Sequence, residues 1–171
     1  VMHHSWRMAD YPCPANCYAA DSGHLLYRFP YWRKPYHAAW RAWIRPRPRI
    51  IHQATRFFDT AGLSGRRIVA VHYRNPREHA GEDFGGCSCP CEVYAMAAEA
   101  EYRAMANAMF FVATDDPDAA KYFADRWQSS VVMRDVIRDR HGVHKSGRHD
   151  GLRIGEDVLI DALLLAKADV L

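Results

Sequence analysis

The chain lacks any hydrophobic run approaching the roughly 20 residues that cross a bilayer, and its first residues lack the charged-then-apolar layout of a secretory leader. No membrane segment is therefore expected in this stretch, although neither absence speaks for sequence outside it. An even cysteine count is missing too. Cys13, Cys17, Cys87, Cys89 and Cys91 make five, which excludes a fully paired intrachain disulfide set and leaves the compartment open. There is no internal repeat and no low-complexity tract, which sets repeat architectures aside. Acidic residues are scarce at one end: residues 1–50 hold eight Arg or Lys against only Asp10 and Asp21. The rest of the chain is slightly acidic, so the formal charge of +3 is N-terminal in origin.

What is present is ordinary for a globular protein: 49% hydrophobic and 25% charged residues over 171 positions, enough for one domain with a core. The chain starts at Val1 and stops at Leu171 within an apparent strand entry, Ala168-Asp169-Val170-Leu171, and so reads as a fragment. Residues 1–34 mix Trp, Tyr, Pro, His and Cys without a sustained period. With 35–44 they are read as a poorly defined aromatic and basic segment, 1–44, belonging to a neighbouring domain. Within it, Tyr36, Ala39, Trp40 and Trp43 fit one face of a helix over 35–44. Arg45-Pro46-Arg47-Pro48-Arg49 then reads as an extended connector.

From residue 45 to 171 the pattern alternates. A helix is expected over about 50–59, a turn at Ala61-Gly62-Leu63-Ser64-Gly65, and a buried strand from Arg67. A long irregular loop over about 74–91 precedes a helix over about 93–107. A second strand covers 109–114, and Asp116-Pro117 opens a helix to about Trp127, since proline suits a first helical position and aspartate before it can cap. Ser130-Val131-Val132-Met133 is a short third strand. Residues 134–150, rich in Arg, His, Asp and Gly, are expected to be an exposed loop. A last helix over about 155–168 leads into a fourth strand. Such alternation implies an α/β fold with a Rossmann-like parallel sheet.

Two strands end on polar groups. Arg67-Ile68-Val69-Ala70-Val71-His72-Tyr73-Arg74 runs from apolar residues into His72 and Arg74, and Met109-Phe110-Phe111-Val112-Ala113-Thr114 runs into Asp115, Asp116 and Pro117. Ligands of open α/β sheets bind outside the carboxyl ends of the strands. These residues are therefore binding candidates, with strand capping as the plainer alternative. The helix around Val158-Leu159-Ile160-Asp161-Ala162-Leu163-Leu164-Leu165 is apolar nearly all round yet carries a carboxylate at its centre. Desolvating an unpaired aspartate costs several kcal/mol, so Asp161 must be paired with Arg, bonded to backbone donors or placed at a cavity. Glu156 and Asp157 read as residues of the helix N-terminus, where the dipole favours acids.

His72-Tyr73-Arg74, Phe111-Val112-Ala113-Thr114-Asp115-Asp116-Pro117, and Val158-Leu159-Ile160-Asp161 through Leu165-Ala166-Lys167-Ala168-Asp169 together resemble the nucleotide-binding half of GDP-fucose-dependent fucosyltransferases. The α1,6-fucosyltransferase and nodulation fucosyltransferase group is the nearer likeness, with protein O-fucosyltransferases more distant, and the resemblance covers residues 45–171. It implies the donor-binding half of a B-type glycosyltransferase, truncated at its C-terminus before the family's serine-rich donor motif. Carried over by position, His72 and Asp161 would contact guanine and Arg74 the β-phosphate, while Asp115 and Asp116 would line the donor pocket. Glu82 falls where the α1,6 enzymes place their proposed base. Its plainer reading is one acid among Glu78, Glu82 and Asp83 on a solvated loop. The chemistry implied is metal-independent and inverting, without a cofactor, with GDP-fucose as donor and a glycan as acceptor. The chain departs from the family at Asn75-Pro76-Arg77, where an R-x-T-D segment would continue, which puts specificity in question. Residue chemistry agrees with the assignments: guanine offers adjacent N1–H and N2–H₂ donors to one carboxylate, and an arginine fork matches phosphate oxygens.

Two other readings stand beside this one. A binder of GDP or glycan that has lost the chemistry would keep the same pocket. Alternatively, Arg33, Lys34, Arg41, Arg45, Arg47 and Arg49, interleaved with Trp32, Tyr36, Trp40 and Trp43, could neutralise phosphates and stack on bases as a nucleic-acid-binding module. No recognised nucleic-acid motif accompanies them, and no nucleic-acid partner is expected. The dense thiols of Cys87-Ser88-Cys89-Pro90-Cys91, with His79 nearby, could hold zinc or copper(I), but their spacing does not suit an ordinary structural zinc site. No metal is expected.

Overall fold

The computed structural model describes residues 45–74, 90–140 and 149–171, together with residues 38, 42, 43, 143 and 147. In chain order the elements are α1 (Pro48–Thr60), β1 (Arg67–Tyr73), α2 (Cys91–Arg103), β2 (Ala108–Thr114), α3 (Pro117–Trp127), a 3₁₀ turn (Gln128–Ser130), β3 (Val131–Met133) and α4 (Gly151–Leu165). The fold is mixed α/β around a small three-stranded parallel sheet.

β2 is buried along its whole length, as a strand covered on both faces must be, and its continuous run of apolar side chains meets that demand. It lies between β1 and β3 in the sheet. On the far side of β1, Val170 forms a parallel bridge to Val69, with Ala70 N donating to Val170 O at 2.8 Å. The expected fourth strand is thus present as a single bridge. The spatial order is β3, β2, β1, Val170, with the direction of winding reversing at β1. Such a reversal defines the switch point of doubly wound sheets, where loops diverge and leave a crevice.

The alternation of side chains along the strands divides the core in two. Ile68, Ala70, Met109, Phe111 and Ala113 face α1 and α4, where Ile50, Ala54, Ile160 and Leu164 complete one cluster. Val69, Val71, Tyr73, Phe110 and Val112 face α2 and α3, with Ala95, Ala98, Phe123 and Trp127. Stacked rings fill this second layer, Tyr102 on Phe110 and Phe110 on Trp127 with centroids 4.4 and 3.9 Å apart. Glu99 of α2 ties the two helices together by accepting from Arg126 Nε at 2.6 Å and Trp127 Nε1 at 3.0 Å. The bond from Arg126 holds its carboxyl below the usual glutamate range despite partial burial.

Several boundaries differ from the sequence reading. α1 starts at Pro48, at the end of the supposed extended connector, because proline is pre-set for a first helical turn. α2 covers Cys91–Arg103 and stops short of Asn107, which takes a left-handed φ of 55° and turns the chain into β2. α4 begins at Gly151 instead of 155, since the Asp150 carboxylate caps it by accepting from Leu152 N at 2.9 Å. Of the helix expected over 35–44, Ala38, Ala42 and Trp43 are described and helical, and the remainder lies outside the described residues.

Candidate functional site

Strand parity decides which polar residues meet. His72 follows Ile68 and Ala70 on the α1/α4 face of β1, and it sits beside Ala113 in the parallel register. Arg74 and Asp115 continue the same parity just past the strand ends. α4 crosses this face and presents Ile154, Asp157, Val158, Asp161, Ala162 and Leu165, a spacing of three and one that keeps them on one helical side. Together these groups line a cavity of about 160 Å³ at the carboxyl ends of β1 and β2. The volume is below the roughly 300–1,000 Å³ of pockets that enclose a whole drug-sized ligand, so the cavity has room for a small group only.

Four of the sequence candidates, His72, Arg74, Asp115 and Asp161, thus line one pocket. Asp116 does not. One residue beyond Asp115, it points out of the pocket and caps α3, its carboxylate accepting from Asp118 N at 2.8 Å and Ala119 N at 3.3 Å. Its own N–H donates to the buried Thr114 hydroxyl at 3.1 Å. Replacing Asp116 with alanine should destabilise the fold by about 1 kcal/mol, read as a shifted denaturation midpoint, and leave ligand affinity at the pocket unchanged. Glu82, His79, Cys87, Cys89 and the Asn75-Pro76-Arg77 departure lie outside the described residues.

The fourth side of the pocket is unexpected. Residues 134–150, read as an exposed loop, supply Val136, Ile137 and Val143 to its wall, and Val143 is buried. The polar composition misleads because several of the charges, among the described residues, are paired. Arg134 Nη1 donates to Asp161 Oδ1 at 3.0 Å and to Asp157 O at 3.0 Å, while its Nη2 donates to Asp157 Oδ1 at 2.7 Å. Arg138 Nη2 in turn donates to the Arg134 carbonyl at 2.6 Å, and His149 and Asp139 pair at 3.3 Å. Asp157 accordingly belongs to the pocket wall and not to a helix N-terminus. Glu156 pairs with Arg49 of α1, so this member of the basic run joins two helices. Sequence reading missed Arg134 and Asp157. The i,i+4 spacing of Asp157 and Asp161, and the apolar pair Val136-Ile137 in a polar stretch, were the available signals.

Asp161 is therefore both paired and at a cavity. Its side chain keeps 17% exposure, and burial pushes its carboxyl above the usual aspartate range even though the Arg134 bond pulls the other way. On the opposite face of β1, burial raises the Tyr73 phenol, and it likewise raises the Cys91 thiol, which is hydrogen-bonded to it. Among the described residues no group of three His, Cys, Asp or Glu is placed to hold a metal ion, and no helix is long and apolar enough to cross a membrane. No protein-family model, curated protein or solved structure matches the chain.

Proposed function

We propose that the chain carries the donor-binding half of a B-type, inverting fucosyltransferase, with the pocket taking the guanine end of GDP-fucose. The observation that supports this reading best is the convergence of His72, Arg74 and Asp161 on one cavity at the carboxyl edge of a parallel sheet, beside its switch point. A small cavity with an anionic acceptor suits a planar base with two adjacent N–H donors. An exposed arginine at the mouth suits the diphosphate that follows it.

In this reading Asp161 accepts from guanine N1–H and N2–H₂, and His72 adds a polar contact to the ring. Arg74 holds the β-phosphate and stabilises charge as the sugar–phosphate bond breaks. An acceptor hydroxyl attacks the anomeric carbon from the opposite side, and Glu82 takes its proton. GDP leaves, and no metal or cofactor takes part. Asp115 lines the donor side of the same pocket.

Calorimetry with GDP, UDP, ADP and GDP-fucose tests the assignment. GDP and GDP-fucose are expected to bind at least about 5-fold more tightly than ADP or UDP, the discrimination that one bidentate base contact supplies. Equal affinity for the three diphosphates, or none for GDP, overturns it. If GDP binds but no fucose is transferred to any glycan offered, the pocket belongs to a binder.

A further inference from the structure

We infer that Arg134 is a positioning residue of the pocket: it fixes Asp161 as an oriented anion in the wall, and Asp157 anchors its guanidinium for that purpose. The geometry is a fork with three acceptors. One arm reaches the Asp161 carboxylate and the Asp157 carbonyl, and the other reaches the Asp157 carboxylate. Arg134 keeps only 12% of its side-chain exposure, so these bonds are made away from bulk water, where they are stronger. Arg138 braces the same residue through its carbonyl.

The arrangement divides the labour between two carboxylates four residues apart. Asp157 gives Arg134 both a backbone and a side-chain acceptor and so sets where the guanidinium sits. Asp161 gives it a single oxygen, Oδ1. Among the described residues Asp161 Oδ2 has no hydrogen-bond partner, and Asp161 lines the cavity. Each acid gives Arg134 one carboxylate oxygen: the second oxygen of Asp157 is buried without a partner, whereas Asp161 stands at the pocket and keeps acceptor capacity on that side. The cluster of Arg134, Arg138, Asp157 and Asp161 is neutral as a whole. On the reading that guanine is the ligand, Arg134 keeps the acid charged, as an acceptor of two N–H donors must be; a protonated carboxyl would present a donor to guanine N1–H or N2–H₂.

Several charged and titratable groups face Asp161. They are Arg134 and Arg138 from the segment after β3, Asp157 on its own helix, His72 and Arg74 at the end of β1, and Asp115 at the end of β2. Removing Arg134 leaves burial and Asp157 opposing the charge. The Asp161 midpoint should then rise, because a close counter-charge is lost. Acid pH is where the variant should suffer most.

The experiment follows the ¹³C signal of the Asp161 carboxyl, assigned by its loss in Asp161→Asn, together with GDP affinity from pH 5.5 to 9. It uses the unaltered chain, Arg134→Gln and Arg134→Lys. In Arg134→Gln the midpoint is expected to climb, and the affinity relative to the unaltered chain to fall at least 10-fold at low pH and recover as pH rises. The ratio cancels any pH dependence that the two proteins share. Arg134→Lys keeps the charge and should restore the pH profile without the full affinity. Should Arg134→Gln not fold, the charge-balanced pair Arg134→Gln/Asp157→Asn is read instead, with a smaller rise expected because the neighbouring anion is lost with the cation.

A folded variant without Arg134 that keeps the parent midpoint and a pH-independent affinity ratio overturns the inference. A moved midpoint in a chain that binds no GDP upholds the role of Arg134 and overturns the guanine reading instead.

Discussion

Replacing Asp161 with asparagine is expected to erase base discrimination at the pocket and to cost the fold nothing at neutral pH. The amide offers one acceptor and a donor where guanine needs two acceptors, so the preference for GDP over ADP should shrink by about 5- to 150-fold, the worth of a bidentate base contact. Stability should move the other way. Burial holds the Asp161 carboxyl above its unfolded value, so its proton favours the folded state. That contribution is complete below the ordinary aspartate range and is lost as pH rises through the raised folded value. Asparagine resembles the protonated form at every pH. The variant should therefore match the parent in acid and equal or exceed it at pH 7, provided Arg134 stays satisfied, as its two contacts with Asp157 allow. Thermal denaturation of both proteins between pH 3 and 8 checks this. If Asp161 were only a structural partner of Arg134, the substitution would leave the preference for GDP unchanged.

Arg74→Ala should give the complementary result. Hydrogen bonds to charged groups contribute about 1.5–3 kcal/mol each, so losing the guanidinium should weaken GDP by about 10- to 150-fold. Guanosine, which has no phosphate, should bind the variant and the parent alike, and the preference among bases should survive. Arg74 is exposed, and surface changes seldom move stability beyond about 0.5 kcal/mol. Parallel calorimetry with GDP and guanosine separates the two contributions. An Arg74 variant that loses guanosine as well would place this residue on the base and overturn the division of roles.

The pH behaviour of the site depends on two opposed influences at Asp161, and they have different structural origins. The helix that buries it is a matter of local sequence: Ile160 and Leu164 must reach the core, and residue 161 is carried in beside them. Its compensating cation arrives from 27 positions away, after β3. A local pattern can therefore announce the cost of the carboxylate without announcing what offsets it. The same holds for residues 134–150. Their Arg, His and Asp content resembles that of a solvated loop because composition does not reveal pairing, and among the described residues pairs form with α4, with α3 and within the segment itself.

By itself the sequence determined the parallel α/β character, the burial of β1 and the arrival of His72, Arg74 and Asp115 at strand ends. All of these follow from runs of apolar residues and the period of two along a strand. It also required a partner or a cavity for Asp161, because an uncompensated buried charge is too costly. Only the tertiary structure decided that Asp115 enters the pocket while Asp116 caps a helix, and that Arg134 and Asp157 complete the wall. Strand parity past the last ladder bond and the meeting of segments distant in sequence are set by how the helices close over the sheet, which no local pattern encodes.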